Sequence, residues 1–127
     1  MGQLSILACI AFGGAFGACS RYLISDFCAQ LFGKGFPYGT LTVNVIGSFA
    51  MGCLIAAFES DMLASEPWRQ IIGLGFLGAL TTFSTFSMDN VLLLQQGAVF
   101  KMGLNIVLNV LVSVSAAWLG FQILIKN

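Results

Sequence analysis

Thr81-Thr82-Phe83-Ser84-Thr85-Phe86-Ser87 lies in the middle of a long apolar segment, Gln70 to Leu94. It places five hydroxyls and two phenyl rings in seven consecutive residues. A membrane span needs ~20 apolar residues, and this segment supplies them. Lipid offers a hydroxyl no partner, and burying an unpaired one costs a few kcal/mol. The hydroxyls must therefore face protein, an ion or water. A polar track at membrane depth reads as a pathway.

The rest of the chain agrees with a membrane setting. Of its 127 residues 58% are hydrophobic and 8% charged, whereas soluble domains carry about a quarter charged residues. Apolar runs at Leu4–Leu23, Gly39–Phe58, Gln70–Leu94 and Met102–Ile125 predict an all-α integral membrane protein of four transmembrane helices. With flanking residues the spans extend to about 4–31, 39–58, 67–95 and 100–125, within one unit over residues 1–127. The first run lacks a basic leader and a cleavage site, so it reads as a span and not a signal peptide. Cys9, Cys19, Cys28 and Cys53 match no zinc spacing, and the chain has no histidine. They read as small buried hydrophobes without a disulfide. Nothing points to an enzyme or to nucleic acid.

Charge leaves the orientation open. Orientation normally follows an excess of Lys and Arg in the cytoplasmic loops. With four spans, Arg69 and Lys126 fall on one side, and Lys34 and Lys101 on the other, with Arg21 near the end of the first span. The balance favours a chain inserted both ways over one oriented by some other signal.

Small residues mark the packing faces. Gly13 and Gly17 form a small-xxx-small pair, and glycine recurs at Gly47, Gly52, Gly73, Gly75 and Gly78. Lys34 to Gly39 and Gln95-Gln96-Gly97 read as turns. Pro67 suits the start of the third span and Trp68 the membrane interface. The three glycines before the hydroxyl run admit two readings. A helix broken near residues 78–82 would expose carbonyls from its first half and amides from its second. An unbroken helix would have its hydroxyls bond to carbonyls one turn earlier.

The other spans carry donors. Asn44 and Ser48 are four residues apart in the second span; Asn105, Asn109 and Ser113 form one stripe in the fourth. Each can donate a hydrogen bond, as interhelical glue or as pathway lining. Phe83 and Phe86 share a face with the hydroxyls, and the positive edge of a ring makes a weak favourable contact with an anion. Asp89, one turn beyond Phe86, is the only acid near a span interior, and Arg21 is the cation placed for an aqueous mouth. A neutral, donor-rich path with a cation at its entrance suits a small anion; a cation path would carry carboxylates.

These residues resemble the Fluc family of fluoride channels, also called CrcB proteins. The resemblance spans the chain and rests on Gly13-Gly14-Ala15-Phe16-Gly17-Ala18 with Arg21-Tyr22, on Pro37-Tyr38-Gly39-Thr40-Leu41-Thr42-Val43-Asn44 with Gly47, and on Gly75 through Ser87. It implies an antiparallel, dual-topology homodimer with two pores and a third helix broken near its middle, in the plasma (inner) membrane of a prokaryote. It implies passive, selective export of fluoride from the cytoplasm, which lowers fluoride toxicity. By motif, Phe83 and Phe86 would turn ring edges to fluoride, beside Asn44. Ser84 and Thr85 would line the pore, as would Asn105, Asn109 and Ser113 of the more variable fourth span. The carbonyls of Gly78 and Thr81 would hold one structural sodium ion per dimer, and Arg21 would stand near the vestibule. Ala79 departs from the second glycine that many members carry there, which bears on the geometry of the break.

Two other classes share the four-span outline. A small multidrug exporter needs a glutamate in its first span to couple protons, and this first span has none. A non-transporting membrane scaffold would account for the small-residue faces but not for the hydroxyl track.

Overall fold

A computed structural model describes residues 1–126. Four helices in it are long and apolar enough to cross a membrane: Gln3–Phe32, Tyr38–Glu59, Arg69–Gln95 and Val99–Leu124. The first, α1 (Gln3–Phe32), ends where Gly33 turns to φ 81 and donates its N–H to the Ala29 carbonyl. That conformation strains any residue with a Cβ, which is why glycine stands there. After a short turn the chain returns as α2 (Tyr38–Glu59).

The third span is composite. Wide π-type turns run over Arg69–Leu77, followed by a single α turn, α3 (Gly78–Leu80), and then α4 (Phe83–Gln95). The Gly78 N–H reaches back five residues to the Gly73 carbonyl, the bond that defines the wider turn. The fourth span contains α5 (Val99–Val107), a second π stretch (Leu108–Val112) and α6 (Ser113–Leu124).

The helices run up and down, as the loop contacts show. Lys101 donates to the Gly35 carbonyl, so the first and third loops meet at one end. Ser60 bonds to the Leu124 carbonyl and to the Lys126 N–H, and the N-terminal amine lies 3.8 Å from Glu66. The second loop and both ends of the described chain therefore share the opposite end.

Close backbone approach holds the bundle together, because lipid removes the hydrophobic drive between helices. Gly13 and Gly17 of α1 face the carbonyls of Ile71 and Phe76 so closely that a Cβ on either would collide with them. The small core lies between α2 and the first half of the third span: Val43, Leu54, Phe58, Leu77 and Leu80. The outer helices bury little. In the most apolar window of the first and of the fourth span only 11% of residues are buried, against 33% in the third. Leu4, Phe12, Phe16, Leu111 and Trp118 point outward, an arrangement that lipid or protein can cover and water cannot.

Candidate functional site at the interruption of the third span

Helical geometry stops after Leu80. Thr81 (ψ 157) and Thr82 (φ −152, ψ 117) are extended, and the helix restarts at Phe83. Such a gap frees backbone groups that must find partners at membrane depth. Asn44 of α2 supplies them: its Oδ1 accepts the Thr82 N–H at 2.8 Å, and its Nδ2 donates to the Thr82 carbonyl at 3.2 Å. One side-chain amide thus takes up the Thr82 N–H that the gap leaves without a helical acceptor, and adds a second donor to the Thr82 carbonyl at the start of α4. The Thr82 hydroxyl in turn caps α4 by accepting from the Thr85 N–H at 3.1 Å. α2 comes this close because Gly47 lies against the Thr81 methyl, where a Cβ would collide.

Carbonyls just before the gap lose their usual donors. The Thr82 N–H has turned from Gly78 to Asn44, and the Thr85 N–H has turned from Thr81 to the Thr82 hydroxyl. The Ala79 carbonyl instead accepts Arg21 Nε at 3.0 Å. The hydroxyls behave in two ways. Thr81 and Ser87 bond back to the Leu77 and Phe83 carbonyls, each at 3.0 Å, as an unbroken helix would have them do. Thr82 and Ser84 pair with each other at 3.3 Å.

A run of amides leads away from Asn44. Its Nδ2 also donates to Asn109 Oδ1 at 2.9 Å. Asn109 donates to both the backbone and the side-chain oxygen of Asn105, each at 2.9 Å. Asn105 donates to Asn90 Oδ1 at 2.9 Å. Asn109 occupies the second π stretch, and Asn105 is fully buried.

Beside these amides lies a cavity of about 380 Å³, lined by Asn44, Ser48, Phe83, Phe86, Asn109 and Ser113 among others. No lining residue is charged. The Phe83 and Phe86 rings stand 5.5 Å apart and tilted by 51°, at a separation typical of aromatic pairs. Phe86 is 8% exposed and Phe83 78%. The Ser113 hydroxyl is buried without a partner among the described residues, so the cavity holds an unspent donor. A second cavity of about 430 Å³ opens toward the first loop and is lined by Lys34, Thr40, Thr85 and Asp89 among others. There Thr40 donates to Asp89 Oδ2 at 2.8 Å.

Of the residues singled out in the sequence, the first cavity gathers Asn44, Phe83, Phe86, Asn109, Ser113 and Thr81, and the second gathers Thr85. Ser84, Asn105, Gly78 and Arg21 line neither. Ser84 is exposed, Asn105 stands behind Asn109, and Arg21 is half-buried against the interruption. The sequence reading missed Thr40 and Asn90, whose partners lie 49 and 15 residues away. Periodicity within one span carries no signal for such pairs.

Residues 8–121 match the family described as CrcB-like protein, Camphor Resistance (CrcB). The chain is 77% identical over 127 residues to a protein of Vibrio parahaemolyticus named "Fluoride-specific ion channel FluC", covering all of both chains. It is 75% identical to the protein of that name from Vibrio campbellii and 61% identical to that from Photobacterium profundum, again over the whole of both chains. Matches of this extent show that the chain belongs to the CrcB-like family.

Proposed function

We propose that this protein is a fluoride-selective passive channel, and not an enzyme, which exports fluoride from the cytoplasm of a prokaryote across its plasma (inner) membrane and so lowers fluoride toxicity. The observation that carries the reading is the first cavity. It joins two phenyl rings, amides and a free hydroxyl at the interruption, with no charged lining. The names of the full-length relatives support the same reading.

Fluoride is small and strongly hydrated, so a path must replace its water without trapping it. Weak donors in series do this, where a fixed cation would hold the ion too tightly. The amide donors are already occupied. Both amide hydrogens of Asn44 are bonded, one to Thr82 and one to Asn109. An arriving ion would exchange with one of those bonds, so its gain at that point is a difference between two hydrogen bonds and is small. Ring edges at Phe83 and Phe86, and hydroxyls at Ser84, Thr85 and Ser113, extend the series on either side. Asn105 serves it as the partner of Asn109.

The working unit in this reading is an antiparallel homodimer with two pores. Phe83 supports it, since a ring that lines the cavity is left 78% exposed by its own chain. The balanced lysines and arginines support insertion in both orientations. Gly78 and Thr81 would hold one sodium ion between the subunits. Their carbonyls have lost their helical N–H partners and suit a hard cation. Bound there, sodium supplies positive charge at the gap in the two third spans.

Fluoride sensitivity of an export-deficient bacterium tests the reading. Expression of the chain should restore growth in fluoride, and failure to restore it with protein present in the membrane would count against the function. Two lysines added near Ser60–Ser65 should fix one orientation, and two added near Lys34 the opposite one. Each variant alone should lose protection, and the two together should regain it. Full protection by a variant labelled from one side only would rule out the antiparallel unit.

A further inference from the structure

Four asparagine side chains from three spans bond in one directed series, and only Asn44 and Asn109 touch the cavity. The backbone fixes the direction. The Thr82 N–H can only donate, so Asn44 must present its oxygen to it. The Asn44 nitrogen then faces Asn109, which must present oxygen. The Asn109 nitrogen donates to both Asn105 oxygens, which turns the Asn105 nitrogen toward Asn90 Oδ1. A flipped amide anywhere in the series sets donor against donor. Asn105 is 0% exposed, so water cannot relieve a mismatch there. Among the described residues, Asn90 Oδ1 is the only acceptor for the Asn105 nitrogen.

We infer that Asn90 is a positioning residue for the ion path: by accepting from Asn105 it locks the order of donors and acceptors through Asn109 to Asn44. Without that acceptor the buried Asn105 nitrogen is left unpaired. Rotation relieves it, and rotation withdraws Asn105 Oδ1 from Asn109. Asn109 then keeps one of its two bonds to Asn105, the backbone one, so its amide is held less firmly with oxygen toward Asn44. The effect reaches the cavity although Asn90 lines neither cavity.

This inference rests on the fluoride-path reading, and the test separates the two. Wild type, Asn90→Leu, Asn90→Ala and Asn90→Gln are compared as purified protein. Fluoride efflux from liposomes is read together with the side-chain amide ¹⁵N–¹H signals of Asn44 and Asn109. Loss of one buried hydrogen bond predicts a fall in flux of about three- to tenfold in the leucine and alanine variants. Both amide signals should shift in those variants, and glutamine, which keeps an acceptor, should restore flux and signals. A fall in flux with unmoved signals would overturn the relay. Shifted signals with unchanged flux would overturn its bearing on the path. Failure of both the leucine and alanine variants to fold would make Asn90 a structural residue and overturn the inference too. Absence of fluoride flux in the wild type would instead refute the function, with the amide signals still testing the relay.

Discussion

The two halves of the third span divide the labour. Before the interruption, Arg69–Leu80 packs backbone against backbone on α1, and buries Gly73, Gly75, Leu77 and Leu80. After it, Phe83–Gln95 buries only Phe86 and Leu93 and leaves Phe83 exposed. The first half is held by shape, through contacts that only glycine permits. The second is held at a few polar points: the Thr82 cap, Thr40 on Asp89, and Asn105 on Asn90. Position is thus set on one side of the gap and chemistry displayed on the other.

The sharpest way to break this contrast lies in the first half. Gly13→Val places a side chain against the Ile71 carbonyl and should abolish assembly, seen as loss of monodisperse protein on size exclusion. A well-assembled variant would show that the close approach is dispensable. In the second half, Phe83→Ile or Phe86→Ile keeps bulk and removes the ring edge. Each should leave assembly intact and lower fluoride flux on the order of a hundredfold, about 2.7 kcal/mol. Unchanged flux in both would reduce the rings to packing. The smallest effect belongs to the junction. Thr82→Val removes the cap hydroxyl and should cost about 1 kcal/mol of stability in thermal unfolding. No measurable cost would mean that Asn44 alone holds the gap.

How much of this was legible in the sequence follows the same division. The four spans are readable because length and hydropathy decide them without reference to neighbours. Gly13 and Gly17 are readable as a packing face for the same local reason, although Ile71 and Phe76 as its targets are not. The hydroxyl run leaves two backbone readings open, and both behaviours occur within it. Thr81 and Ser87 bond back within the span while Thr82 caps a new helix. Which hydroxyl does which depends on Asn44 reaching across from α2. The stripe of Asn105 and Asn109 is visible at helical spacing, but its order through Asn90 is not, since Asn90 belongs to another span. Arg21 shows the same limit: its position near the end of the apolar run Leu4–Leu23 suggests a mouth, whereas α1 continues to Phe32, and its Nε bond to the Ala79 carbonyl, 58 residues away, has no local signature. The wide turns at Arg69–Leu77 and Leu108–Val112 were not anticipated either, because apolar periodicity does not distinguish them from ordinary helix.

The most direct test of the central claim is ion efflux from liposomes containing only the purified protein. Vesicles loaded with fluoride or with chloride are diluted into ion-free medium with a potassium ionophore to balance charge. The account predicts rapid, passive loss of fluoride and retention of chloride, with no added energy source. Retention of both ions, or equal loss of both, would contradict it.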